Sequence, residues 1–155
     1  MSDVVECALC ATDGGSLLWR GKHVRVVQVD DPDYPGYCRV IWNACVREMS
    51  DLDGPGRTHL LEVVHVVERS LRDMLDPDKI NLASLGNQVP HLHWHVIPRW
   101  SDDRHFPDPI WAVPRRPAFA HGLSAGRDAA WAARLAGARA LGQVLPPALN
   151  AAFPW

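Results

Sequence analysis

The sequence predicts an α+β domain in which an antiparallel sheet carries one long helix across a face. Residues 23–29 alternate apolar and polar side chains, as a half-buried strand does, and a second strand-like segment follows a cluster of turn formers. Residues 55–75 instead repeat apolar side chains at helical spacing. Further strand-like segments follow this helix, and strands on both sides of one long helix favour the α+β class.

The hairpin and the helix have recognisable ends. Asp30 to Gly36 is dense in turn formers, and Tyr37 to Trp42 is rich in β-branched and aromatic residues, so we expect it to be the second strand. The helix runs from about Pro55 to Leu75, and Asp76-Pro77 supplies its stop. Its predicted apolar face consists of Leu60, Val63, Val64, Val67, Leu71, Met74 and Leu75.

Two further strands and an ordered loop are predicted after the helix. Lys79 to Leu85 and His91 to Pro98 are strand-like, and residues 86–90 form a loop between them. Residues 101–117 are rich in Asp, Pro and Arg, which predicts a loop without regular secondary structure. We expect it to be tethered by Phe106, Ile110 and Trp111.

The C-terminal part of the chain predicts an Ala-rich helix from Arg127 to Val144. One stripe of this helix would pack on the domain or on a partner subunit, and it consists of Trp131, Leu135, Ala138 and Leu141. We assign residues 1–120 to the main domain and residues 121–155 to a helical extension packed on that same domain.

Length and charge limit the classes of function. A chain of 155 residues with 47% hydrophobic residues is long enough for one sizeable core and too short for two independent domains. Its 16 Lys and Arg residues against 18 Asp and Glu residues give a net charge of -2, which provides no global attraction for nucleic acid. We therefore expect an anionic ligand to be held by a local site.

The N-terminal residues and the cysteines indicate the compartment of the protein. The first residues lack the basic and apolar stretches of a secretory leader, and no window reaches the roughly 18 apolar residues of a membrane span. We therefore expect a cytoplasmic protein with no membrane partner. In such a protein, cysteines indicate thiols or a metal site rather than structural disulfides. The four cysteines are Cys7, Cys10, Cys38 and Cys45.

Three alternating histidines are the most informative feature. His91, His93 and His95 would point to one face of a strand, about 6–7 Å apart in sequence order, while the residues between them point to an apolar layer. A neutral imidazole can act as a nucleophile near pH 7, and its neighbour can carry a proton. The alternatives are solvated or hydrogen-bonded histidines without a catalytic role, or a zinc site made by all three.

The run from His91 to Ile97 resembles the signature of the histidine-triad (HIT) family, in which three histidines alternate with apolar residues. The similarity covers roughly residues 7–98, through a Cys-X-X-Cys start, a hairpin with Pro35-Gly36, the long helix and an Asn-bearing strand. Residues 102–111 are also similar to a bacterial branch that resembles diadenosine-tetraphosphate hydrolases. The resemblance implies a HIT-like sheet with the helix packed on it, and two such domains paired as a homodimer.

The resemblance also implies a covalent mechanism. His93 would attack the α-phosphorus of a nucleotide and form a nucleotidyl-histidine, which water then resolves. His95 would contact the phosphoryl oxygens and assist the leaving group, and His91 would support the pair or bind a metal. This chemistry requires no cofactor, because a covalent step divides a difficult displacement into two easier ones.

By the same resemblance, four polar residues are candidates for binding the nucleotide. Asn81 lies one residue closer to the triad than the corresponding Asn of the family does. Asn87 and Gln88 stand where the family often has Gln-Ser or Gln-Thr, and their amides can donate similar hydrogen bonds to phosphate. Asp30 resembles the acidic residue that binds ribose hydroxyls, although a plain turn aspartate is an equal alternative.

The resemblance further implies a structural zinc site. In this branch, a Cys-X-X-Cys pair joins a histidine after the second hairpin strand and the first triad histidine. Cys45 occupies that histidine position, so the predicted ligands are Cys7, Cys10, Cys45 and His91, a set that suits zinc. The alternative is small buried thiols without metal, and Cys38 is predicted to be a core residue.

The favoured function is hydrolysis of a dinucleoside polyphosphate of the diadenosine tetraphosphate type at its α-phosphorus. The alternatives within the enzyme class are adenosine phosphoramidate hydrolysis and nucleotidyl transfer to an acceptor other than water. From other classes, the chain could be a nucleotide-binding module without turnover, or a hydrolase with zinc held by all three histidines.

Overall fold

A five-stranded antiparallel sheet organises the chain, whose computed structural model describes residues 7–118 and 125–154. The strands are β1 (Ser16–Arg20), β2 (Val24–Gln28), β3 (Cys38–Trp42), β4 (Lys79–Ala83) and β5 (His93–Arg99). Their spatial order is β1-β2-β3-β5-β4. The helices are α1 (Ala8–Ala11), α2 (Gly54–Leu75) and α3 (Ala125–Ala152), with a 3-10 turn at Met49–Asp51. The predicted α+β class is confirmed.

The two faces of the sheet have different surroundings. Because side chains alternate along a strand, Val26, Val40 and Val96 point to the face covered by α2 and α3, where all three are completely buried. The helices contribute buried apolar residues to the same core: Leu60, Val63, Val64, Val67, Leu71, Leu141, Leu145 and Leu149. The opposite face carries the polar residues of β3 and β5, so the sheet separates the main core from the histidines.

Helix α2 is delimited by local signals. The Asp53 carboxylate caps its N-terminus by accepting a hydrogen bond from the Gly56 N–H at 2.7 Å, and Pro55 lies in the first turn. Its C-cap is Asp76, in the left-handed conformation with φ 44°, directly before Pro77. The predicted helix and its stop are therefore confirmed.

Two short elements near the N-terminus were not predicted. Helix α1 has only four residues, and β1 is an edge strand that pairs with β2 through an irregular register between Leu17 and Trp19. Trp19 is the one residue of β1 that is buried. A strand with a single buried side chain has no clear alternation, so the sequence pattern gave no signal for it.

Helix α3 is longer than predicted. It continues beyond Val144 to Ala152 and contains Pro146 and Pro147. A Pro-Pro pair removes backbone donors and normally ends a helix. Here Leu145 and Leu149, one on each side of the pair, are completely buried against α2 and the sheet, and this burial favours continuation of the helix.

Some expectations fall outside the described residues. The boundary between residues 120 and 121 lies within 119–124, which the structure does not describe, so the assignment of domains stays a prediction. In the described part of the chain, α3 packs on α2 and β1. Over the same residues, no helix is both long enough and apolar enough to cross a membrane.

The strand that bears the histidines begins later than predicted. We expected it to start at His91, but β5 begins at His93, and His91 lies in a bend before it. Leu92 still pairs with β3, since its carbonyl accepts a hydrogen bond from the Trp42 N–H at 3.1 Å. Its imidazole contacts Cys7 and Cys10, and Cys7 packs with Leu9 and Ile41 on the side of the sheet that carries His93 and His95.

Candidate active site

Two histidines of β5 form the centre of the site. In the β3–β5 register, His93 lies opposite Ile41 and His95 lies opposite Arg39. The two imidazole centroids are 4.8 Å apart with the rings nearly perpendicular, and the side chains are only 7% and 5% exposed. Adjacent, buried imidazoles on one strand face are suited to sharing the roles of nucleophile and proton carrier.

The tautomer of His93 is set by the main chain. Its Nδ1 lies 2.6 Å from the carbonyl oxygen of His91. A carbonyl oxygen can only accept, so we assign the imidazole proton to Nδ1 and the lone pair to Nε2. Burial is the largest cause that lowers the pKa of His93, and the nearby charges of Arg39 and His91 add to it. His93 is therefore neutral, with one free nucleophilic nitrogen.

The tautomer of His95 is set by a tyrosine. The Tyr37 hydroxyl lies 2.6 Å from His95 Nδ1. Burial raises the pKa of Tyr37. The Arg39 guanidinium, which can only donate hydrogen bonds, lowers that pKa through its charge and through a hydrogen bond to the Tyr37 oxygen. We therefore assign the hydroxyl proton to the bond with Nδ1, which leaves a proton on His95 Nε2. Burial, His93 and Arg39 lower the pKa of His95 to about 4, so it too is neutral near pH 7.

A cavity of about 330 Å³ opens at these two imidazoles. Polar groups enter it from β3 and from the loop before β5, and apolar groups form the remaining wall. The polar lining consists of Arg39, Asn87, Gln88, His93 and His95, and the apolar lining includes Leu9, Leu85, Val89 and Trp111. A concave, largely apolar pocket with a few convergent polar groups is typical of a small-molecule site.

The predicted nucleotide-binding residues are only partly brought together. Asn87 and Gln88 line the cavity, as their place before the triad suggests. Asn81 lies instead in a second cavity of about 650 Å³, which shares Leu85 and Trp111 with the first. Its side-chain oxygen accepts a hydrogen bond from Arg99 at 2.5 Å.

Asp30 also lies apart from the histidines. It is exposed after the end of β2 and does not line the histidine cavity in the part of the chain that the structure describes. Its neighbour Asp31 accepts a hydrogen bond from the Asp33 N–H at 2.9 Å, an arrangement typical of an Asx turn. This Asx turn belongs to Asp31 and assigns no role to the Asp30 side chain.

The segment after β5 is held by a buried ion pair. Arg99, which is 1% exposed, donates to both carboxylate oxygens of Asp103, at 2.6 and 3.0 Å. It also donates to the Asp108 carbonyl at 2.7 Å. A buried pair whose hydrogen bonds are satisfied in this way fixes a loop geometry that has no secondary structure of its own. Trp111, farther along, lies edge-on to His95 with the ring centroids 5.0 Å apart.

Just before β5, the His91 imidazole lies among three cysteines. One ligand atom from each of Cys7, Cys10, Cys45 and His91 lies within 4.8 Å of the others. The sulfurs of Cys7 and Cys10 are each 3.4 Å from His91 Nδ1. His91 Nε2 is 2.7 Å from the Trp42 carbonyl oxygen, so Nε2 carries the proton and Nδ1 keeps its lone pair toward the sulfurs.

This cluster has the chemistry of a metal site. An imidazole whose distal N–H is held by a carbonyl, with the lone pair toward thiols, is the arrangement that metal-binding histidines adopt. Hydrogen bonds with Cys45 and Cys7 raise the pKa of Cys10 to about 12, because crowded thiols resist becoming several thiolates without a cation. The predicted Cys/His set therefore lies together in a form that could hold a metal.

The family follows from this geometry together with the sequence. A profile of the HIT domain matches residues 15–102, which include all five strands, helix α2 and the alternating histidines. The chain belongs to the HIT domain family. The resemblance of residues 91–97 to the histidine-triad signature is therefore confirmed.

Curated relatives support the same family. AP-4-A phosphorylase of Mycobacterium tuberculosis is 30% identical over 107 residues, covering 65% of this chain and 55% of the relative. Bis(5'-adenosyl)-triphosphatase of Saccharomyces cerevisiae is 27% identical over 90 residues, covering 54% of this chain and 44% of the relative. The chain spans about half the length of the curated relatives it matches.

Solved structures confirm the HIT fold. A histidine triad protein from Bradyrhizobium japonicum is 27% identical with a TM-score of 0.61, covering 79% of this chain and 92% of that one. Another from Marinobacter aquaeolei is 24% identical with a TM-score of 0.61, covering 83% of this chain and 93% of that one. The sheet and the helix packed on it are thus common to this HIT chain and these proteins.

Sequence reasoning missed two residues of the HIT site. Tyr37 and Arg39 stand in a strand-like segment whose other residues are mostly apolar, and neither was predicted to face the histidines. The signal was the alternation itself: residues 37 and 39 share one side of β3, opposite the core residues Val40 and Cys38. The pairing of β3 with β5 was needed to recognise that this side meets His95.

Proposed function

We propose that this HIT protein cleaves dinucleoside polyphosphates of the diadenosine tetraphosphate type at the α-phosphorus, through a nucleotidyl-His93 intermediate. The observation that carries the proposal is the hydrogen bond from His93 Nδ1 to the His91 carbonyl, which leaves Nε2 as a free nucleophile beside His95. The names of two curated relatives, a diadenosine tetraphosphate phosphorylase and a diadenosine triphosphatase, support the substrate class.

The first chemical step transfers the nucleotidyl group to the protein. His93 Nε2 attacks the α-phosphorus, and the bond from that phosphorus to the bridging oxygen of the leaving polyphosphate breaks. His95 donates its Nε2 proton to the departing oxygen while the Tyr37 hydroxyl proton moves to His95 Nδ1, so that the imidazole stays neutral in its other tautomer. The amides of Asn87 and Gln88 can donate hydrogen bonds to phosphate oxygens from the cavity wall.

The second step returns the site to its starting state. A water molecule gives a proton to His95 Nε2 and attacks the phosphorus, and the bond between phosphorus and His93 breaks. A nucleoside monophosphate leaves, and both imidazoles regain their original tautomers. This scheme routes no step through a cofactor.

The cavity at His93 and His95 accounts for fewer contacts with the nucleoside than with the phosphate. We propose that Asn81, at the adjoining cavity, contacts one nucleoside or the leaving group, since that cavity shares Trp111 and Leu85 with the first. Asp30 stays a proposed ribose ligand. Pairing of two HIT domains and a cytoplasmic location also stay predictions.

The products of diadenosine tetraphosphate test the proposed function. Hydrolysis at the α-phosphorus yields AMP and ATP, whereas transfer of the adenylyl group to inorganic phosphate yields ADP and ATP. Ion-exchange separation of products, with and without phosphate, distinguishes the two acceptors, and adenosine phosphoramidate tests the alternative substrate. No turnover of any of these compounds, with AMP still bound, would favour a binding module.

Tyr37→Phe is expected to lower kcat about 10-fold with little change in KM, as loss of a hydrogen bond that orients a site histidine does. Without the hydroxyl, His95 Nδ1 loses the hydrogen-bond donor that keeps the imidazole proton on Nε2. Steady-state kinetics and the ¹⁵N shifts of His95 measure the rate and the tautomer.

The matched control is Tyr34→Phe, whose hydroxyl belongs to the Asp103–His105 network instead. That variant should keep the wild-type kcat at temperatures where it is folded. An unchanged His95 tautomer in Tyr37→Phe would contradict the assigned role.

The acid limb of the kcat/KM profile is expected to lie below pH 6.5, the ordinary pKa of imidazole. Burial lowers the pKa of His93, with Arg39 from β3 and His91 from the preceding bend acting in the same direction. As the pH falls, His93 therefore stays neutral and nucleophilic to a lower pH than a solvated histidine would. A pH–rate profile measures this, and an acid limb at or above pH 6.5 would contradict it.

We propose that Cys7, Cys10, Cys45 and His91 hold a structural zinc ion. Three sulfurs and one imidazole nitrogen within 4.8 Å of one another match the ligand number and types of closed zinc sites. Both His91 nitrogens are engaged by this cluster and by the Trp42 carbonyl. This argues against the alternative in which the three triad histidines share one catalytic zinc.

A further inference from the structure

Arg39 is a charged residue of β3 on the face of the sheet that carries the histidines, and it lies directly opposite His95. It lines the cavity with His93 and His95, and one terminal nitrogen of its guanidinium donates to the Gly14 carbonyl at 3.1 Å. That bond holds one edge of the side chain against the backbone. The Arg39 Nε is buried and has no hydrogen-bond partner in the part of the chain that the structure describes.

A buried guanidinium donor without a partner is costly, because its desolvation is not compensated. Such groups are retained where a ligand completes them. The planar fork of an arginine matches two oxygens of a phosphate, and a phosphoryl group bound beside Nε would supply the acceptor that the protein does not.

Arg39 differs in charge from the other residues that line the cavity. Among the described residues that line the cavity, Arg39 is the one with a permanent charge, since Asn87 and Gln88 are neutral amides and both histidines are neutral near pH 7. The whole chain has a net charge of -2, so a polyphosphate gains no general attraction from the protein. A local cation is needed to hold the anion against His93.

The position of the charge agrees with this role. Arg39 lines the same cavity as both imidazoles, and after burial its charge is a further cause that lowers the pKa of His93 and His95. It also lies 5.8 Å from the centre of the Tyr37 ring, and Tyr37 is the hydrogen-bond partner of His95. The guanidinium therefore borders the place where an α-phosphoryl group must lie for attack by His93.

We propose that Arg39 binds the α-phosphoryl group of 5'-nucleotides and stabilises the negative charge that develops on its oxygens during transfer to His93. The first part concerns binding and stands without turnover, whereas the second part rests on the proposed function. Nucleosides, which lack the phosphate, gain nothing from Arg39.

Calorimetric binding of AMP and adenosine tests the binding role in Arg39→Met, which keeps most of the side-chain volume and removes the charge. AMP binding should weaken about 10- to 100-fold, the range expected for loss of a charged hydrogen-bond donor, while adenosine binding should change less than about twofold. The matched control is Arg69→Met on α2, an exposed arginine on the other side of the sheet, whose AMP affinity should equal that of wild type.

Single-turnover formation of the His93 adduct tests the catalytic role. Arg39→Met should slow it by about 10²-fold or more, as removal of a donor to a developing oxyanion does. Arg39→Lys should recover more of the AMP affinity than of the rate, because lysine restores the charge without the planar fork. Equal loss of AMP and adenosine affinity, or unchanged AMP affinity, would overturn the proposal.

One outcome separates this proposal from the proposed function. In that outcome, wild type binds AMP more tightly than adenosine, Arg39→Met abolishes this difference in affinity, and no His93 adduct forms. Arg39 is then the phosphate ligand, and the hydrolase proposal fails. If Arg39→Met does not fold, the Arg39 Nε–H resonance of wild type is followed during an AMP titration. A resonance that AMP leaves unmoved overturns the proposal.

Discussion

His93→Gly is expected to abolish turnover of diadenosine tetraphosphate, with a loss in kcat on the order of 10⁴-fold or more, as removal of a catalytic nucleophile causes. Of the two histidines that line the cavity, His93 alone has a free nitrogen for the covalent bond, since His95 Nδ1 is engaged by Tyr37 and its Nε2 carries a proton. The variant should still bind AMP, because the proposed phosphate contacts of Arg39, Asn87 and Gln88 do not depend on the nucleophile.

The measurement is intact mass after rapid quenching at neutral pH. Wild type should gain one adenylyl group, and His93→Gly should gain none. The matched control is His65→Ala, an exposed histidine of α2 on the other side of the sheet, which should form the adduct as wild type does. Turnover that survives in His93→Gly would refute the covalent mechanism.

Cys45→Ser is expected to release the zinc and lower the melting temperature by on the order of 10 °C, because a closed site loses one of four ligands and metal binding contributes directly to folding. The metal content of the purified protein, measured by plasma mass spectrometry, should fall from about one zinc per chain to well below one. Thermal unfolding followed by circular dichroism measures the change in stability.

Cys45→His provides the matched control for the zinc site. It converts the ligand set from Cys3His to Cys2His2, and both sets suit zinc. It should therefore keep the metal and most of the stability that Cys45→Ser loses. Equal melting temperatures for Cys45→Ser and wild type, with no zinc in either, would show that the cluster is a group of free thiols.

The sequence was sufficient for features that depend on local periodicity. Helix α2 was predictable because its apolar repeat, its Asp53 cap and its Asp76 stop are all local signals. The zinc ligands could be proposed because the resemblance supplied their spacing. The burial of His93 and His95 agrees with a strand whose intervening residues face the core.

The sequence was insufficient where tertiary contacts decide. His91 leaves the strand because its imidazole lies against Cys7 and Cys10, which are remote in the chain. The hydrogen bond of Tyr37 with His95 depends on the pairing of β3 with β5, which no periodicity specifies. Helix α3 passes through two prolines because of leucines buried on a surface that only the folded domain provides.

The buried ion pair between Arg99 and Asp103 gives β5 a second structural role. The strand that carries His95 also fixes the start of the segment that brings Trp111 against that histidine. The tautomers of the two imidazoles are set by the His91 carbonyl and by Tyr37, so a change of the Trp111 side chain would alter the cavity wall and leave both of those bonds in place. Under the proposed function, a substitution at Trp111 would therefore change which ligand fits the cavity without changing the chemical step.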